Sequence, residues 1–86
     1  LTPTPSTHVK APRVAETSLA MECRLLQSIP IGESSSTLVL GEIVYFHAKD
    51  NILTDGFPDP EKLRPLGRLG GGAYAGLGNL IHIPKQ

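Results

Sequence analysis

Arg68, the Gly70-Gly71-Gly72 triplet and Tyr74 are the residues whose types and spacing most invite a chemical reading. A guanidinium suits a phosphate or an electron-rich ring edge, glycines let a backbone approach a planar ligand, and a tyrosine stacks while keeping a polar tip. The same residues also read as a turn, an arginine paired with a carboxylate, and a packed tyrosine. Gly70-x-Gly72-x-x-Ala75 formally fits a dinucleotide fingerprint. No strand leads directly into it, and the chain ends before the acidic residue that fingerprint needs ~20 positions later.

Other constellations are sparse. His8, His47 and His82 lie far apart in sequence, and with Cys23 they show none of the close pairs of a structural zinc site. No metal site is expected. Ser34, Ser35 and Ser36 sit in a polar loop without a nucleophile elbow. Asp50, Asp55, Asp59 and Glu61 cluster around turns, where capping explains them better than acid–base chemistry.

The elements that must position these residues start from Thr37 to Ala48, the longest run of strand formers in the chain. Leu38, Leu40, Val44 and Phe46 fall on one face, and Val39, Ile43 and Tyr45 on the other. Both faces therefore want cover, and the two sets are expected to be equally buried in the assembled protein. Gly41 marks a bulge or a close approach of another backbone. Leu19 to Ile29 alternates as a second strand, with Glu22, Arg24 and Ser28 opposite Met21, Cys23 and Leu25, and with Leu26 breaking the pattern. The polar Pro30 to Ser36 connection makes the pair a long antiparallel hairpin.

Ahead of it, residues 1–18 form an extended arm, since Pro3, Pro5 and Pro12 remove hydrogen-bond donors and fix backbone angles. After it, residues 49–86 hold a turn at Asp55-Gly56, a helical turn capped by Asp59 and opened by Pro60, the Gly-rich segment, and a final strand at Leu80 to Ile83. The predicted class is all-β, mainly antiparallel, with one short helical turn.

At 86 residues, with no Trp, eight Pro and nine Gly, the chain is one domain at most, with a small core. A formal net charge of zero offers no basic footprint for nucleic acid or anionic membrane. No stretch approaches the ~20 apolar residues of a membrane-spanning helix. The single Cys23 cannot form an internal disulfide, which points to a reducing, cytoplasmic setting.

Four stretches carry a resemblance: Thr7 to Thr17, Met21-Glu22-Cys23-Arg24-Leu25, Val39-Leu40-Gly41-Glu42-Ile43-Val44, and Leu63-Arg64-Pro65-Leu66-Gly67-Arg68-Leu69-Gly70-Gly71-x-x-Tyr74. In order and spacing they resemble the C-terminal half of the flavin reductase-like, FMN-binding split-barrel family, in its flavoredoxin and monooxygenase reductase-component branch. The resemblance implies a partial split β-barrel, FMN as cofactor, NAD(P)H as electron donor, the N-terminal half of the domain as a partner, and a homodimer. It also implies that the N-terminal half supplies most contacts to the flavin and that the arm lies near the barrel rim, so the cofactor-binding candidates of this chain are Arg68, Gly70, Gly71 and Tyr74, on the chemistry above, with Lys10 and Arg13 of the arm. A non-catalytic β module that mediates protein–protein assembly is the other reading of the same open strands.

Overall fold

The structure, a computed structural model, describes residues 1–84. The chain divides into two compact units, 1–48 and 49–86. Among the described residues the strands pair as four two-stranded antiparallel ladders, with one 3-10 turn and one short α-helical turn, so the expected all-β class is observed. The ladders do not close into a barrel among the described residues.

The first unit is built on β3 (Leu19–Pro30) and β4 (Thr37–Ala48), with β1 (Pro3–Thr4) and β2 (Arg13–Val14) ahead of them. The β3–β4 register runs from Leu19↔Ala48 to Pro30↔Thr37, with shifts between Glu22 and Cys23 and between Leu25 and Gln27. Val44 is the extra residue at the first shift and Leu26 at the second. One bulge on each strand cancels the other, so the pairing leaves the ladder in the register in which it entered. Leu26, which breaks the alternation in the sequence, is the extra residue of a bulge, and the alternation flips after it, so that Ile29 leaves the face of Cys23 and Leu25 and joins that of Leu38 and Leu40. Gly41 pairs with Leu25 beside that bulge, and a Cβ there would lie 3.2 Å from Cys23 Cβ. Of the two roles expected of this glycine, close approach is the one the geometry requires.

The arm is not simply extended. It doubles back: β1 pairs with β2 through Pro3↔Val14 and Thr4↔Arg13, and Ala15 N–H donates to Thr2 C=O at 2.8 Å. Prolines at 3, 5 and 12 leave few donors for a longer ladder, and the intervening turn is held instead by Ser6 Oγ donating to Ala11 C=O at 2.6 Å.

In the second unit, a short 3-10 turn (Asp50–Ile52) leads to β5 (Leu53–Thr54) and β6 (Phe57–Pro58). Asp55 and Gly56 join these strands with φ of 54° and 80°. Positive φ at both central residues is the hairpin turn for which Asp-Gly is the characteristic sequence. Helix α1 (Pro60–Leu63) starts as expected, with Asp59 accepting from Glu61 N–H at 2.9 Å and Pro60 in the first turn. It ends where Arg64 turns left-handed at φ 51°, immediately before Pro65. Ile52, 3% exposed, is the buried hydrophobic residue here. Next come β7 (Gly67–Arg68) and β8 (Tyr74–Ala75).

The expected final strand is not observed. Leu80 to Ile83 does not form a strand. An apolar run becomes a strand only when a ladder satisfies its backbone, and no described strand pairs with this one.

The long hairpin leaves apolar side chains open on both faces, and the Val44 bulge exchanges two of the expected positions: Leu38, Leu40 and Tyr45 share one face at 48%, 39% and 40% exposed, and Val39, Ile43 and Phe46 the other at 60%, 46% and 56%. Neither set is covered within the chain.

Candidate functional site

The β7–β8 hairpin gathers four of the sequence-predicted residues. Arg68 pairs directly with Tyr74 across the ladder, so their side chains leave the same face of the sheet. The tip is closed by Leu69 N–H donating to Ala73 C=O at 2.9 Å, and Gly71 takes φ 63°. A Cβ placed on Gly70, Gly71 or Gly72 would meet nothing within 4 Å. Packing inside the described chain therefore does not demand glycine at Gly70 and Gly72, whereas the left-handed backbone does at Gly71. Arg68 and Tyr74 are both exposed.

Lys10 and Arg13 belong to the other unit, on the doubled-back arm. Lys10 is exposed beside Pro3, Pro5 and Pro12. Arg13 is half-buried and borders a cavity of about 330 Å³ between the arm and the first part of β3, together with Val9, Thr17, Leu19 and Glu22. Its Nε is buried with no hydrogen-bond partner among the described residues.

Sequence reasoning placed Glu22 on the outer, polar face of its strand. Instead it is 3% exposed, because the arm folds over it. Its Oε2 accepts from Thr7 N–H at 2.6 Å and from His47 Nε2 at 2.5 Å, and its Oε1 accepts from His8 N–H at 2.6 Å and Val9 N–H at 3.2 Å. Three successive backbone N–H groups curve around one carboxylate, the arrangement that binds anions in backbone nests. Burial works to raise the Glu22 carboxyl, but the His47 ring and then the Thr7, His8 and Val9 N–H groups outweigh it and hold it at about 2, below the ordinary 4.5. At neutral pH this group is a fixed anion, unsuited to exchanging protons in a reaction cycle.

Around it, the Tyr45 ring lies 4.7 Å from that of His8 and 4.9 Å from that of His47, centroid to centroid. Two histidines far apart in sequence thus meet on one tyrosine. The hairpin expected from the sequence brings the strand of Glu22 beside that of Tyr45 and His47, but its seven-residue connection leaves the register open. In the observed register Glu22 stands opposite Tyr45, which makes His47 its diagonal neighbour on the same face. Nothing local announces that Thr7, His8 and Val9 cap it. Among the described residues no three His, Cys, Asp or Glu side chains converge as a metal-binding group.

No protein-family model matches the chain. It is 34% identical over 89 aligned residues to an uncharacterised protein of Halalkalibacterium halodurans, an alignment that spans 99% of this chain and 43% of that protein. It is 39% identical over 75 residues to an uncharacterised protein of Aquifex aeolicus, spanning 86% of this chain and 37% of the relative. The chain thus covers less than half the length of the relatives it matches. Among solved structures, it superposes with a TM-score of 0.87 and 34% identity on nitrilotriacetate monooxygenase component B from Bacillus cereus. That superposition takes in 96% of this chain and 44% of the other, so nearly the whole of this chain is similar in fold and sequence to less than half of a monooxygenase component.

Proposed function

We propose that this chain is the C-terminal half of a flavin reductase-like split barrel, working as part of an FMN-binding, NAD(P)H-dependent oxidoreductase of the flavoredoxin or monooxygenase reductase-component type. The observation that carries the reading is the 0.87 TM-score over 96% of the chain with a protein named as a monooxygenase component. The 44% coverage of that protein supports a need for a complementing N-terminal half. The assembled protein is expected to be a cytoplasmic homodimer.

In each unit taken by itself, the candidate residues have chemistry suited to part of a flavin mononucleotide. Arg68 supplies a fork of donors for a phosphate, Tyr74 an aromatic face, and the tip at Gly70 and Gly71 leaves room for close backbone approach. Arg13 has an unsatisfied buried donor and Lys10 a free-standing ammonium chain at the surface of the arm. FMN, when bound, accepts the hydride and passes the electrons on, while the protein orients donor and ring and tunes the ring. Co-expression of the chain with a segment supplying the preceding half should give yellow protein that oxidises NADH or NADPH. Arg68→Ala should weaken FMN binding by roughly tenfold, the usual scale for one charge-assisted contact. Colourless assembled protein would defeat the reading.

The apolar faces of the β3–β4 hairpin favour a second reading, a non-catalytic module that assembles with another polypeptide through those faces. Stable capture of the complementing half without flavin would select it.

A further inference from the structure

The geometry points to Glu22 as a latch: we propose that its carboxylate, gripped by the arm's own backbone, holds the 5–12 loop against the β3–β4 hairpin and so places Lys10 and Arg13. The latch itself stands apart from the flavin reading; only the use of Lys10 and Arg13 for a phosphate rests on it.

Among the described residues, backbone N–H groups of Thr7, His8 and Val9 tie the loop to the hairpin by donating to Glu22. The β1–β2 ladder joins the loop's two ends to each other but not to β4. Each carboxylate oxygen takes two donors, so its acceptor capacity is well used and one carboxylate couples loop, β3 and β4. The ionisable groups around it are His8 from the loop, Tyr45 and His47 from β4, and Arg13 and Cys23 along the adjoining cavity. Glutamine keeps the size but turns one acceptor oxygen into an NH2 group that faces donors. The latch then opens on one side. Opening also removes a wall of the cavity, since Val9, Pro12 and Arg13 line it from the arm and Leu19 and Met21 from β3.

Limited trypsin digestion reads the latch directly. In the parent chain, cleavage after Lys10 and Arg13 should be slow while the loop is fastened; in Glu22→Gln it should accelerate by about tenfold or more, the scale of hydrogen bonds to a charged group. Cleavage after Arg24, inside the hairpin, serves as the control and should change little. Glu33→Gln in the β3–β4 connection should leave all sites at parental rates. Should Glu22→Gln fail to fold, amide exchange in the parent chain decides instead: the Thr7, His8 and Val9 amides should be protected at neutral pH. They should lose that protection on acidification before the β3–β4 amides do. Parental cleavage rates in a folded Glu22→Gln, or unprotected Thr7 to Val9 amides in the parent, would overturn the proposal. If the latch opens in Glu22→Gln yet FMN affinity of the assembled protein is unchanged, Lys10 and Arg13 do not serve the flavin and the latch stands.

Discussion

Replacing Ile43 by Asp tests whether the long hairpin is an assembly surface. Ile43 lies in the middle of β4 and is 46% exposed in the chain alone. Full burial of such a side chain contributes about 1.5–3 kcal/mol, so covering the exposed 46% is worth about 1 kcal/mol to assembly. Aspartate forfeits that gain and brings an unpaired charge into an apolar contact, which adds several kcal/mol. The dissociation constant for the complementing half, or for a second copy, should rise on the order of a hundredfold or more. The free chain should tolerate the change far better, because an exposed carboxylate remains hydrated there. Gel filtration with light scattering, run beside circular dichroism of the free chain, separates the two effects. Assembly at parental affinity would show that this face stays open, and the physical support for an incomplete barrel would go with it.

Gly41→Val should destabilise the hairpin by roughly 1–3 kcal/mol in urea unfolding, because its Cβ would press on Cys23 Cβ at 3.2 Å. Cys23→Gly in the same chain should recover part of the loss. By contrast, Gly70→Ala should leave stability within about 0.5 kcal/mol, since no atom lies within 4 Å of the added methyl, and should still lower FMN affinity in the assembled protein. Asp59 is held below its ordinary 3.8, first by the Thr54 hydroxyl at 2.7 Å and then by Glu61 N–H. A carboxyl depressed in the folded state stabilises above its unfolded value, and that contribution disappears as pH falls through the folded one. The second unit should therefore weaken below about pH 4. In Thr54→Val, NMR titration of the Asp59 carboxyl should move up towards the ordinary range. For Glu22 the same sign holds over a wider window, from 4.5 down to about 2, so the arm should stay fastened through mildly acid conditions and release only in strong acid.

Features governed by neighbouring residues were legible in the sequence. Strand formers from Thr37 to Ala48 became β4 end to end, Asp55-Gly56 became a hairpin turn with both φ positive, and Asp59-Pro60 opened α1. Each depends on backbone preferences and side-chain reach within a few residues, which the order of amino acids states outright. The tertiary structure decided what depends on distant partners. The compensating bulges at Leu26 and Val44 arise only when two strands are laid together, and the missing strand at Leu80 to Ile83 reflects a ladder that no described segment offers. The position of Arg68 opposite Tyr74 required the exact register of β7 and β8. Glu22 is the sharpest case. By period alone it belongs on the polar face of a strand, and it lies buried because an arm starting 21 residues earlier closes three N–H groups around it. Such burial depends on where a loop comes to rest, and a strand's own periodicity carries no information about that.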